Sequence, residues 1–125
     1  MREIKFRGSS KEDNKWYYGY LDRFSSSNIY KIHDEKYYGY SVVEEASIGQ
    51  YTGFTDKNGK EIYEGDILDC GFGVVKRVYF ADGRWLSMCS EDTKYDSDLL
   101  QDVLSSMCEV IGNTYEEVLY ETNNM

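Results

Sequence analysis

No proline, one histidine, three cysteines and no long apolar run: the shortages of this 125-residue chain narrow its chemistry before any motif is read. Without proline, no residue withholds its backbone N–H from a ladder, which suits a sheet-rich fold. A single histidine, His33, cannot supply a His-rich metal site, and a nucleophilic triad would need a placed partner on each side of it. The cysteines stand at 70, 89 and 108, an odd number without a Cys-x-x-Cys pair. That spacing fits neither a disulfide framework nor a zinc knuckle, so three reduced thiols in a reducing compartment are expected. No apolar stretch approaches the roughly 18 residues of a membrane span. Met1-Arg2-Glu3-Ile4-Lys5 has no apolar secretion core, and a cytoplasmic protein is the expectation.

Basic residues are scarce in one region only. The net charge is −9, and residues 91–125 hold nine of the acids against Lys94 alone. Nucleic acid is held largely through phosphate neutralisation, so a direct nucleic-acid ligand is not expected there. A solvated acidic face that aids solubility is the plainer reading.

What the chain has in abundance is turn chemistry and tyrosine. Ile48 to Ile67 packs four glycines, an Asn58-Gly59 turn and two short alternating runs into twenty residues. Alternation predicts strands near residues 3–7, 16–21, 29–32, 37–43, 48–52, 61–63, 67–70, 74–80, 84–89 and 109–113, with Ile4 and Phe6 facing the core. Leu99, Leu100, Val103, Leu104 and Met107 recur at helical spacing behind Asp96, Ser97 and Asp98 as cap, predicting a helix. From Glu116 onward the chain reads as a short helix or a frayed tail. The expected fold is one mainly β domain over 1–125 with a late helix (β or α+β). It is either a strongly bent antiparallel sheet or an SH3-like barrel extended by N-terminal strands.

Candidate chemistry is thin. Glu61, Glu64, Asp66 and Asp69 lie within nine residues, but strand alternation divides them between faces; Asp66 is expected to accept backbone N–H groups of the turn at Gly65. Gly71-Phe72-Gly73 and Gly49…Gly53 open no helix and carry no Gly-Lys-Ser/Thr, so they read as turns. Catalytic, cofactor and metal residues are accordingly all assigned as none. The aromatic set is more telling. Alternation can bury only about half of Trp16, Tyr17, Tyr18, Tyr20, Tyr37, Tyr38, Tyr40 and Tyr51. Exposed tyrosines are frequent interface anchors. Gln50, Tyr51, Thr52, Tyr63, Trp16 and Tyr18 form the candidate interaction surface.

Four blocks carry a family resemblance: Arg2–Gly8, Lys15–Leu21, Ile48–Ile67 with its Gly49-Gln50-Tyr51-Thr52-Gly53 and Glu64-Gly65-Asp66-Ile67, and Val110-Ile111-Gly112-Asn113-Thr114-Tyr115-Glu116. Together they resemble the YopX-like proteins, small proteins typical of bacteriophages and prophages. Residues 23–44 and 86–108 carry no matching pattern, and Glu116-Glu117 stands where the family commonly runs into Asn-Pro. The resemblance implies a phage or prophage accessory protein of β-rich fold in a bacterial host, with no catalytic residues to carry over. The expected function is a non-catalytic protein-interaction or self-assembling module. Its expected partners are a homo-oligomer or a host or phage protein, with no membrane. The alternative is a nucleic-acid-linked regulator using aromatic stacking, with Arg2, Lys5, Arg7, Lys11, Lys15 and Arg23 gathered on one face, or an acidic DNA mimic that blocks a host DNA-binding protein.

Overall fold

A computed structural model describes residues 3–23, 28–34, 39–81, 83–88, 97–99 and 106–123. The chain divides into two compact units, residues 1–51 and 52–125.

The first unit begins with β1 (Phe6–Ser9) and β2 (Trp16–Arg23), joined through a polar turn at residues 11–13. The strands β3 (Tyr30–His33) and β4 (Tyr40–Val43) continue the meander. The first part of β5 (Gly49–Thr55) pairs back onto β1, opposing Phe6 to Gln50 and Arg7 to Gly49. All pairings are antiparallel, and the order is β4-β3-β2-β1-β5. An isolated bridge between Ser10 and Val43 draws the edge of β4 towards the end of β1. Two backbone bonds secure it: Lys11 N–H to the Val42 carbonyl at 3.0 Å, and Glu44 N–H to the Ser9 carbonyl at 2.9 Å. The sheet is therefore strongly bent. Its concave side buries Ile32 and Val43 completely or nearly so, each such side chain contributing about 1.5–3 kcal/mol. Ile4, expected in this core, is instead 63% exposed, because it precedes the first paired residue.

In the second unit β5 runs into β6 (Glu61–Tyr63) through the Asn58-Gly59 turn. Asp56 N–H bonds the Lys60 carbonyl and Gly59 N–H the Asp56 carbonyl, with Gly59 at φ 80°. This is a three-residue hairpin loop in which glycine takes the left-handed position. Then follow β7 (Asp66–Asp69), β8 (Val75–Ala81), β9 (Arg84–Met88), β10 (Ser97–Leu99), β11 (Glu109–Asn113) and the helix α1 (Thr114–Asn123). They form an open antiparallel sheet of order β10-β9-β8-β7-β11. Ile62, Leu68, Val78, Trp85 and Cys108 make its core, with Phe54, Cys70 and Val110 packed against it. The bent-sheet expectation thus holds, with β strands dominant and a helix late in the chain. Among the described residues the strands do not close into a barrel.

Several local expectations change. Ser97 and Asp98, read as a helix cap, lie in β10, where Leu99 opposes Leu86. Pairing along the open edge of β9 satisfies their backbone groups, which a cap would do only for the first turn of a helix. Residues 100–105 of the predicted helix lie outside the described residues, and Met107 sits in a turn. The helix that is described starts at Thr114, where the Asn113 side-chain oxygen accepts the Glu116 N–H at 2.8 Å as an N-cap. Glu117, in its first turn, receives two bonds from the Arg77 guanidinium at 3.0 and 3.1 Å. Gly49 and Gly53 lie inside β5 rather than in turns. Lastly, Cys70 and Cys108 are joined as a disulfide, contrary to the expectation of three free thiols. Sequence spacing could not reveal it, because the β7–β11 register alone makes the two residues neighbours. Cys89 lies outside the described residues.

Among the described residues, no helix is long and apolar enough to cross a membrane.

Candidate functional site

Directly opposed residues of an antiparallel pair, and residues two apart on a strand, share one face of a sheet. In the first unit this rule sorts the aromatic residues cleanly. Arg7 opposes Tyr18, and Ser9 opposes Trp16. Tyr20 opposes His33, which in turn opposes Tyr40, while Asp22 opposes Lys31. Extending the β1–β5 register one step places Lys5 beside Tyr51, and the Tyr51 N–H bonds the Lys5 carbonyl at 2.7 Å. One face thus carries Trp16, Tyr18, Tyr20, Tyr40 and Tyr51, interleaved with Lys5, Arg7, Lys31 and His33. Tyr18 is 42%, Tyr20 59% and Tyr40 56% exposed, so at least three rings meet solvent.

Cations on this face are held against rings. The Lys31 ammonium lies 4.1 Å from the Tyr40 centroid, Lys5 5.2 Å from that of Tyr51, and the Arg7 guanidinium 4.8 Å from Trp16. Each such contact is worth about 0.5–1 kcal/mol where water still reaches it. Their shared effect is to fix ring orientation. The imidazole of His33 approaches Asp22 Oδ2 to 3.3 Å and packs at a tilt on Tyr40, with centroids 5.7 Å apart. His33 is the last residue of β3. Acids also reach this face: Asp22, and Glu3 with its carboxylate 3.4 Å from Lys5. The face is amphipathic and mixed in charge rather than a cationic stripe.

Of the six residues chosen from sequence, Trp16, Tyr18 and Tyr51 meet on this face. Gln50 opposes Phe6 and belongs to the other side. Thr52 and Tyr63 are buried, at 3% and 2% exposure, and offer no surface. Thr52 donates its hydroxyl to the Ile62 carbonyl at 2.8 Å, and Tyr63 donates to Glu61 at 3.0 Å. Both side chains are spent inside the second unit. Tyr20 and Tyr40 complete the surface and were omitted from it. Their membership follows from the β2–β3–β4 register, although the alternation of Tyr18 with Tyr20 was a usable hint. The proposed basic cluster does not gather: Arg23 opposes Tyr30 and stacks over its ring at 5.7 Å on the opposite face, and Lys11 and Lys15 lie in the β1–β2 connection. Arg2 lies outside the described residues.

Beside the β3–β4 connection a cleft of about 220 Å³ is lined by Tyr17, Asp34, Gly39, Tyr40 and Ser41. The Tyr17 hydroxyl donates to Asp13 Oδ2 at 2.7 Å. That bond lowers the Asp13 carboxyl below its ordinary range and raises the Tyr17 phenol above its own.

The acidic residues of the second unit act on backbone. Asp66, 1% exposed, accepts the Tyr63 N–H at 2.7 Å, which is the turn-bracing role expected for it. Asp69 accepts the Gly71 N–H at 2.9 Å. Asp56 went unnoticed in the sequence, yet it accepts three amides: Asn58 and Lys60, each at 2.9 Å, and Val110 at 3.0 Å. Burial alone would raise its carboxyl, but the amides of Val110, Lys60 and Asn58 outweigh it and hold the group below the usual carboxylate range. Among the described residues no group of three or more His, Cys, Asp or Glu could hold a metal ion.

Two antiparallel sheet units, tight glycine turns and a capped terminal helix define a small β-rich protein with an aromatic sheet face. A model of the YopX protein family matches residues 5–119, and the chain belongs to that family. No curated protein matches the sequence. Protein EF1440 from Enterococcus faecalis, solved by crystallography, is similar in fold with a TM-score of 0.56 and 22% identity, over 94% of this chain and 97% of that one.

Proposed function

We propose that the chain is a non-catalytic phage or prophage accessory module, active in the host cytoplasm, that binds a protein partner through the aromatic face of its first unit. The single observation carrying this reading is the exposure of Tyr18 and Tyr20 on β2 and of Tyr40 on β4, with Lys31 of the intervening β3 fixed over the last. Tyrosine supplies large contact area with few torsions to freeze, which is why it anchors protein interfaces. The mixed charge of the face, with Asp22 and Glu3 among the cations, suits a protein surface better than a uniform polyanion. Membership of the YopX family supports the accessory role. The DNA-mimic alternative draws on residues 91–125. Of its described acids, Glu117 is engaged by Arg77, and Glu109 lies 3.8 Å from Lys57.

The test compares the full chain with a Tyr18→Ala, Tyr20→Ala, Tyr40→Ala variant by native mass spectrometry and by capture from phage-infected or induced cells. The expected result is a defined self-assembly or a reproducible protein partner that the variant loses while its melting curve is retained. A strict monomer with no partner, or a partner retained by the variant, would sink the reading. Salt-sensitive binding of a labelled single-stranded oligonucleotide, lost in the variant, would replace it with the nucleic-acid alternative.

A further inference from the structure

We propose that Cys70 and Cys108 form a reversible thiol–disulfide couple that clasps the C-terminal strand β11 to the sheet of the second unit. The ladder of β7 with β11 ends at Asp69 opposite Glu109, and the next step outward sets Cys70 opposite Cys108. Their backbone groups turn elsewhere. Cys70 N–H bonds the Val74 carbonyl at 2.8 Å, and the Cys108 carbonyl accepts the Lys57 N–H at 2.9 Å. They are thus an opposed pair without mutual hydrogen bonds, the kind in which side chains approach most closely. Their Cα separation is 4.2 Å. The strand register holds both sulfurs together, whichever their redox state.

Two features make the couple reversible rather than merely structural. First, the fold around it has independent supports. Four opposed pairs join β7 to β11, Asp56 binds the Val110 N–H, and Arg77 grips Glu117. Reduction therefore opens the clasp without removing what places the thiols. Second, access is one-sided. Cys108 is wholly buried, whereas Cys70 is half-buried, at the base of the exposed Gly71–Gly73 turn.

A small thiolate of the glutathione class attacks the sulfur of Cys70. The bond between the protein sulfurs breaks, Cys108 leaves as thiolate, and a mixed disulfide forms on Cys70. A second thiolate attacks the outer sulfur of that mixed disulfide and releases Cys70 as thiolate with one molecule of the oxidised small thiol. Solvent returns two protons, so two electrons pass from two small thiols to the protein. Oxidation runs the same steps backwards. The closed bond ties residues 38 apart in sequence and holds the start of β11 against fraying.

The couple is tested by equilibrating the full chain in glutathione buffers of graded reduced-to-oxidised ratio, quenching with acid, alkylating and counting labels by intact mass. Labels are expected to rise from one per chain, on Cys89, to three in a single two-electron step. Amide exchange in the peptide covering 106–113 is expected to be at least about tenfold slower in the oxidised protein. A count fixed at three or at one across all ratios overturns the proposal, as does a bond that includes Cys89. Cys89→Ala must keep the two-thiol step, and its loss there overturns the assignment. Cys70→Ala must abolish the step; should that variant not fold, the wild-type and Cys89→Ala titrations decide.

Discussion

Asp56 and Val110 lie 54 residues apart in the chain, yet the Asp56 carboxylate accepts the Val110 N–H at 3.0 Å. Its other oxygen meanwhile accepts the Asn58 and Lys60 amides of its own turn. One buried side chain therefore closes the β5–β6 loop and fastens the start of β11 to it.

Removing that carboxylate should be costly. Asp56→Ala leaves three amides without their acceptor, and a loss of about 3 kcal/mol is expected. Asp56→Asn keeps one acceptor oxygen and should lose less. Urea denaturation midpoints at neutral pH check the order; an alanine variant as stable as wild type would refute the clamp.

The same group sets an acid limit. Its carboxyl is depressed in the folded chain relative to the ordinary 3.8, so its stabilisation is complete above that value. It is lost as pH falls through the lower folded value, because the unfolded chain then binds the proton first. Thermal melts from pH 6 downward should therefore show the wild type losing stability below about pH 4 more steeply than Asp56→Asn. Parallel curves for the two proteins would contradict this.

Gly19 makes a sharper steric prediction. A Cβ built there would stand 1.9 Å from the His33 carbonyl oxygen, a backbone atom that cannot step aside without breaking the β2–β3 pairing. Gly19→Ala should unfold the first unit or cost more than about 4 kcal/mol. Gly53 is the control: its φ of 89° strains an alanine, but nothing lies within 4 Å of the added carbon. Gly53→Ala should cost only about 1–2 kcal/mol. Far-ultraviolet dichroism and melting of both variants measure the contrast, and equal losses would show that the crowding at Gly19 is unimportant.

The aromatic face predicts a separation of binding from stability. Tyr18→Ala, Tyr20→Ala and Tyr40→Ala each remove a solvent-exposed ring, so each should change unfolding free energy by less than about 1 kcal/mol. Tyr63→Ala removes a ring at 2% exposure and should cost about 3–5 kcal/mol. Chemical denaturation of the four variants decides it. A large loss at Tyr20 or Tyr40 would mean that the rings are needed for packing and not for contact.

How far the chain announces itself depends on the range of the interaction. Asn58-Gly59, the alternation of β2 and β8, and Asp66 beside Gly65 were legible because each acts on backbone within a few residues. So was the family, whose blocks are made of such local instruction. The helix over 99–107 misled in part: Leu99 satisfies a helical stripe and a strand facing Leu86 equally well, and the neighbouring strand settled it for Ser97–Leu99.

By itself the sequence determined a mainly β chain with a late helix, its turns and its family, since φ preferences and two-residue alternation are properties of adjacent residues. Tertiary structure alone decided that Tyr18, Tyr20 and Tyr40 share an open face while Thr52 and Tyr63 are buried, that Asp56 reaches Val110, and that Cys70 meets Cys108. Those outcomes hang on the register between strands distant in the chain. A shift of one residue in that register would reverse every face, and only the packing of the assembled sheets excludes it.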